Sequence, residues 1–302
     1  MGALVGIAKN TFRESARQPF YYLLLGMAAA ALLVTLRLPL FTFYDDTDMY
    51  KDLGLSFILV FVLLSGLLAA ATGVAREVED KTAQTILSKA SGRWQFILGK
   101  YAGVVAAVAL ATGIVGLLFV VAVYYRVELD ANVLERAYVE GGMGEEVAAF
   151  RVRQWNQAFT VVPGLVLVGL QVSVLAAVAT ALSTRFSPAA SVALSLAAFV
   201  LGHLTVFLER AAGAAGGVLE AVAQGVLAIV PFLEIFNINS KLSHTILVPW
   251  GGGPGAAAGA AAGAAAWAEV WSYVGWAAVY AAVYAAAAIG AGVLLFRRRS
   301  IA

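Results

Sequence analysis

Two apolar runs, residues 55–75 and 101–125, flank one charged stretch from Arg76 to Lys100, and this alternation limits what the chain can fold into. Each run is long enough for a helix to cross the ~30 Å hydrocarbon core of a bilayer. In that core backbone polar groups must be satisfied within the segment, which makes helices the expected state. Composition agrees, since 62% of the residues are hydrophobic and 13% charged, too few charges to solvate a soluble surface of this size. The expected class is an all-α integral membrane protein.

The charged stretch sets the orientation. It carries Arg76, Lys81, Lys89, Arg93 and Lys100, and loops rich in Lys and Arg stay on the cytoplasmic side. Glu77, Glu79 and Asp80 supply the negative charge that favours a helix N-terminus, and Ala83, Ile86, Leu87 and Ala90 recur at helical spacing. This pattern predicts a short amphipathic helix. Ser91-Gly92 breaks it, and Ser91 is a candidate cap for a following helix that carries Trp94, Ile97 and Leu98 on one face.

In residues 1–18, Leu4, Ala8 and Phe12 share one face and Lys9, Arg13 and Arg17 another, the pattern of a helix lying in the cytoplasmic interface. No apolar core followed by a small-residue cleavage site is evident there, so no cleavable signal is expected. Six spans are expected, at 20–36, 55–75, 101–125, 159–182, 189–208 and 267–296. Pro19 suits the first turn of the first span. Arg37 to Gly54 is acidic, with Asp45, Asp46, Asp48 and Asp52; it lacks the glycine turn and distal glutamate of a calcium loop and reads as a solvated external turn. Arg126 to Gln157 reads as two short external helices around Gly141-Gly142-Met143-Gly144. On the fourth span, Gly169, Ser173, Ala177 and Ala181 form a small-residue stripe suited to close helix packing.

Residues 209–266 are placed outside. Within them, Gly217 to Phe236 is apolar but carries Glu220, Gln224, Pro231 and Glu234, and if it crossed, Arg297, Arg298 and Arg299 would face outward. An interfacial or re-entrant segment buried against protein is therefore expected. Gly251 to Ala266 is a Gly/Ala-rich lead-in that becomes helical. Six spans put both termini inside, with twelve Lys/Arg and four Asp/Glu on the cytoplasmic side against eight and fourteen outside.

Glu77-Val78-Glu79-Asp80-Lys81-Thr82, then Leu87-Ser88-Lys89, and then Arg93-Trp94 to Leu98-Gly99-Lys100 resemble the signature loop of ABC-2 type exporter permeases, in the multicopper-enzyme maturation and gliding-motility branch. The resemblance extends to Ala8 through Glu14, to Pro231-Phe232-Leu233-Glu234-Ile235-Phe236-Asn237 and to Phe296-Arg297-Arg298-Arg299. It implies one permease domain of the type V exporter-like fold in the cell inner membrane. It also implies a coupling helix between the second and third spans that docks on a separate cytoplasmic ATPase through Glu77, Glu79, Asp80, Thr82, Ile86, Leu87 and Arg93. A second permease copy or paralogue completes the expected assembly.

No G-x-x-x-x-G-K-[ST] phosphate loop occurs, so ATP is expected on the partner subunit and no cofactor on this chain. H-E-x-x-H and nucleophile-elbow motifs are absent, and the chain is not expected to be an enzyme, to hold a metal or to bind nucleic acid. His203 shares a face with Ser191 and Ser195. It either lines a translocation path, as ionisable residues in membranes often do, or joins the serines as an interhelical hydrogen-bond partner. Trp276, Tyr280 and Tyr284 form an aromatic stripe, read as packing ahead of a substrate surface. An ABC exporter permease is the leading function. The alternatives are an ion- or proton-coupled secondary transporter, whose charged mid-membrane residues and matched broken helices are not evident, a membrane-embedded enzyme, and a membrane anchor for a partner complex.

Overall fold

The computed structural model describes residues 2–38, 46–79, 92–130, 141, 144–205, 207–210, 224–225, 229–237 and 256–297. The main helices are α1 (Gly2–Ala16), α2 (Pro19–Leu36), α3 (Asp46–Glu79), α4 (Arg93–Leu129), α5 (Gly144–Phe159), α6 (Val162–Leu182), α7 (Pro188–His203) and α8 (Ala256–Arg297), with one 3-10 turn at Leu233–Phe236. Among the described residues, five helical stretches are long and apolar enough to cross a membrane: Pro19–Leu36, Asp46–Val74, Trp94–Leu129, Phe150–Leu182 and Ala265–Phe296. The chain is a multi-pass helical membrane protein.

The helix ends depart from the apolar runs for local reasons. Pro19 opens α2 after an extended Gln18, and Ser187 caps α7 by accepting the Ala190 N–H at 3.4 Å ahead of Pro188. α4 is capped at Gly92 rather than Ser91, with the Gln95 side chain accepting the Gly92 N–H at 3.2 Å. It then runs unbroken through the predicted third span into the region expected as an external loop. The residues of its first turns that turn inward are Phe96 and Ile97, while Trp94 stays half exposed.

The expected fifth span, 189–208, is divided at Leu204, with helical residues again at 205 and 207–210. α7 has 16 residues, ~24 Å at 1.5 Å per residue, and stops at His203. Its last turn is crossed by another part of the chain: a Cβ at Gly202 would lie 2.6 Å from the Pro231 carbonyl oxygen and 2.7 Å from Leu233.

α6 is the hub, packed against α3, α4, α7, α8 and the 3-10 turn. Where α3, α4 and α6 meet, a Cβ at Gly66 would fall 2.9 Å from both Val108 and Val172, so only glycine lets the three axes approach this closely. The small-residue stripe of α6 serves the same end. Ala177 is wholly buried with Val74, Phe96, Ile97, Ala285, Ile289 and Phe296, and Ala181 abuts Gly292 of α8. α2 packs on α3 and α4, with the Tyr21 hydroxyl donating to the Ala107 carbonyl at 2.8 Å.

α1 lies along the start of α4, burying Thr11 and Ser15 and leaving Lys9, Arg13 and Arg17 exposed. Buried Lys100 pairs with Glu14 at 3.6 Å. This end of the bundle also holds the close of α3, α6 and α8; the opposite end holds α5 and the close of α2 and α4.

The packing makes a direct prediction. Ala177→Leu has no space to enter and should lower thermal stability in detergent by about 1–3 kcal/mol, whereas Gly113→Ala, whose added methyl meets nothing within 4 Å, should not lower it. Thermal melts of the two purified variants provide the check.

Candidate functional site

Half-way along α6 the apolar sequence is interrupted by Gln171, which is buried, and its amide nitrogen lies 3.1 Å from His203 Nε2 on α7. On the other side of the ring, Nδ1 lies 2.9 Å from the Phe199 carbonyl oxygen. A carbonyl only accepts, so Nδ1 carries the proton and Nε2 accepts from Gln171. The imidazole is thus satisfied as a neutral ring.

Ser191 and Ser195 are fully buried on the face of α7 that carries His203. Ser195 donates to the Ser191 carbonyl at 2.8 Å, and Ser191 Oγ has no hydrogen-bond partner among the described residues. Eight residues separate Ser195 from His203, ~12 Å along the helix, so the three do not form one constellation. The partner that joins His203 is Gln171, which sequence reasoning missed. The signal was available, since an amide in the middle of an apolar span is costly to leave unpaired.

Beside this pair the chain leaves helical geometry. Residues 229–237 lie against α6, α7 and α8 with Pro231, Leu233 and Phe236 buried. Three tyrosines of α8 hold the backbone: Tyr284 donates to the Ile229 carbonyl at 2.6 Å, Tyr273 donates to the Ile235 carbonyl at 2.8 Å, and the Phe232 N–H donates to the Tyr280 hydroxyl at 2.8 Å. Pro231 has no N–H to satisfy. Tyr284 lies two turns from Gly292, and Tyr273 three further turns along, so the segment follows α8 over ~16 Å and reaches the middle of the bundle. The predicted aromatic stripe is split by this arrangement. Tyr280 and Tyr284 face inward with Tyr273, whereas Trp276 is 73% exposed.

At the end where α2 and α4 close, Arg126 is 3% exposed and gathers three helix ends. Its guanidinium donates to the Leu36 and Leu38 carbonyls at 2.7 and 3.1 Å, pairs with Asp46 at 3.2 Å and pairs with Asp130 at 3.1 Å. Thr47 donates to Asp130 at 2.5 Å, and Lys51, also buried, pairs with Asp48 at 3.0 Å and bonds Gln157. The described part of the expected solvated acidic turn is therefore the first turns of α3, with Asp46 and Asp48 near its positive N-terminus and both engaged by buried cations. Among the described residues, no group of three or more His, Cys, Asp or Glu is placed to hold a metal ion.

Of the residues predicted to couple to an ATPase, Glu77 and Glu79 belong to the last turn of α3 and Arg93 opens α4. Asp80, Thr82, Ile86 and Leu87 lie outside the described residues. The helices that carry this loop are joined at its base, where Val74 packs with Phe96 and Ile97.

Two outcomes follow. Arg126→Gln should destabilise the protein by roughly 3–5 kcal/mol, because it strips a buried cation from two carboxylates and two carbonyls, and Asp46→Asn should cost less; melts of both variants test the ranking. Tyr280→Phe should cost about 1 kcal/mol and raise amide hydrogen exchange selectively at residues 229–237, with α3 and α4 unchanged.

No protein-family model and no curated protein sequence matches this chain.

Proposed function

We propose that the chain is the membrane-spanning permease subunit of an ATP-binding cassette exporter, in the inner membrane with both termini cytoplasmic, coupled to a separate ATPase. The observation that carries this is the build of the α3–α4 base. α3 and α4 have 34 and 37 residues, ~51 and ~56 Å, well beyond the ~30 Å of a hydrocarbon core, and the surplus lies at both ends, including Arg93–Lys100 of α4 on the side of the charged loop. α1 braces that base through the Glu14–Lys100 pair. A force applied to the loop is transmitted as a rigid-body push on two long helices that clasp the hub helix α6.

On this reading Ile86 and Leu87 enter a groove of the ATPase, with Glu77, Glu79 and Asp80 orienting the helix and Thr82 and Arg93 flanking it. A second permease copy or paralogue completes the path, and the 229–237 segment is the external re-entrant element. An ion- or proton-coupled secondary transporter is favoured by one observation, the Gln171–His203 pair beside a non-helical segment in mid-bundle.

The two are separated at the loop. Ile86→Asp with Leu87→Asp leaves the basic residues that hold the loop inside, so expression should persist. Two unpaired charges buried in an apolar groove cost several kcal/mol, so recovery of the ATPase with the tagged permease should fall at least about hundredfold. Undiminished copurification, with hydrolysis still stimulated on reconstitution, would overturn the coupling role. Solute flux driven by a pH gradient without any ATPase, lost in His203→Gln, would establish the secondary transporter instead.

A further inference from the structure

α1 meets the bundle at the level where a span begins. Its main neighbour is α4, and the approach is close: a Cβ at Gly99 would lie 2.9 Å from Ile7 and 3.2 Å from the Leu4 carbonyl oxygen, and one at Gly103 would lie 2.6 Å from both the Ala8 carbonyl oxygen and Thr11. These glycines bracket Tyr101, the first residue of the apolar run 101–125. At its other end α1 joins α2 through Arg17 and the extended Gln18, and Pro19 opens an apolar stretch long enough to cross a membrane. Both attachments place α1 at the edge of the hydrocarbon, where lipid headgroups lie.

At that level the two faces of α1 differ in kind. Thr11 and Ser15 turn toward α4 and are buried. Lys9 and Arg13, with Arg17 in the turn that follows, recur every four residues on the opposite face, and all three are exposed. The Arg17 N–H bonds the Arg13 carbonyl at 3.1 Å, so helical register carries through to the third cation. None of the three has an ion pair or a side-chain hydrogen bond among the described residues. Glu14, the one acid of α1, is engaged by buried Lys100 at 3.6 Å and leaves their charge uncancelled. Val5, 62% exposed, continues the line one turn before Lys9, and a face that joins basic side chains to an apolar one suits the boundary between headgroups and acyl chains.

We infer that the outward face of α1 is a docking site for anionic phospholipid headgroups, with Lys9, Arg13 and Arg17 on the phosphates of the leaflet that α1 borders. Position selects the occupant. A helix held to the edge of the bundle by its inward face turns the other face sideways, into the surrounding lipid, and there three cations spaced over ~12 Å meet a row of headgroups. Each Lys or Arg near an anionic surface adds to the attraction, and a zwitterionic headgroup offers no net charge to match it. The inference depends on the place of the bundle in a membrane and not on what the protein transports.

The chain has no cysteine, so a single fluorophore can report on this face. Gly6 is the position for it, exposed, with nothing within 4 Å of an added Cβ, and two helical turns before Arg13 on the same face. The full-length Gly6→Cys protein, labelled, is placed in phosphatidylcholine nanodiscs with a trace of phosphatidylglycerol or of phosphatidylcholine that carries a nitroxide near the carbonyl end of one acyl chain. Quenching by the labelled phosphatidylglycerol should exceed that by the labelled phosphatidylcholine about threefold or more. Lys9→Gln, Arg13→Gln and Arg17→Gln together should bring the two to parity. So should ~1 M KCl with the three cations in place, where the screening length falls to about 3 Å, and this arm requires no substituted chain to fold. Equal quenching by the two lipids at low salt would overturn the proposal, since the face would then meet lipid without selecting charge. No quenching by either would overturn it as well, by placing the face in water or against another protein. A preference that survives the triple substitution or the salt would also overturn it, and would assign the selectivity to other groups.

Discussion

Hydrocarbon offers no hydrogen bonds, and the backbone geometry of this protein follows from that. Where the chain is helical the ladder satisfies itself. At two of the breaks among the described residues, side chains with strong donors or acceptors take up the backbone groups. Arg126 receives the orphan carbonyls at the close of α2, with Tyr50 donating to Leu32 one turn earlier at 3.1 Å. Tyr273, Tyr280 and Tyr284 do the same for residues 229–237, supplying two donors and one acceptor to backbone atoms that would otherwise lie bare in mid-bundle. Tyrosine suits this role because its ring is at home among apolar neighbours while its hydroxyl reaches across a helix–segment gap.

Much of the architecture was legible in the sequence because it rests on length and hydropathy. The five long apolar helices, Pro19 opening α2, the inward face of α1 and the close packing of the Ala177–Ala181 stripe follow from local pattern. The ends did not, since they are decided by contacts between distant residues. Asp46 to Gly54 reads as a polar turn until Arg126, eighty residues away, supplies the countercharge that lets it be the first turns of α3. α7 ends at His203, beside the place where Pro231 and Leu233 pack on Gly202, a meeting that periodicity does not encode.

The candidate site was legible to the same degree. His203 stood out as an ionisable group in an apolar run, but its face-mates on α7 are not its partners; Gln171 on the neighbouring helix is. Likewise Trp276 belongs by spacing with Tyr280 and Tyr284, yet the segment they hold lies toward Tyr273 on the other flank of α8, which leaves Trp276 outward. Spacing identifies a face, and only tertiary structure shows how wide the occupied part of that face is.

Apolar burial contributes little to helix association where the solvent is itself apolar, so close packing and interhelical hydrogen bonds must hold the bundle. The distribution of residues answers to this. α6, the most buried of the spans, presents Gly169, Ala177 and Ala181 to its neighbours and carries the buried polar groups Gln171 and Thr180, while α2 turns Leu23, Leu33 and Val34 outward. α7 holds to α6 differently from the rest. It is the shortest of the apolar helices, its neighbours among the described elements are α6, α3 and the 3-10 turn, and the Gln171–His203 bond joins its far end to the hub. Besides that bond, Gly202 of α7 packs closely under Pro231 and Leu233, so its far end is fixed to the 229–237 segment as well as to α6. Moving α3 or α4 would open the contacts at Gly66, where three helices meet too closely to give. α7 contributes buried Ser191 and Ser195 and the partly buried His203 as the polar groups of its packed surface.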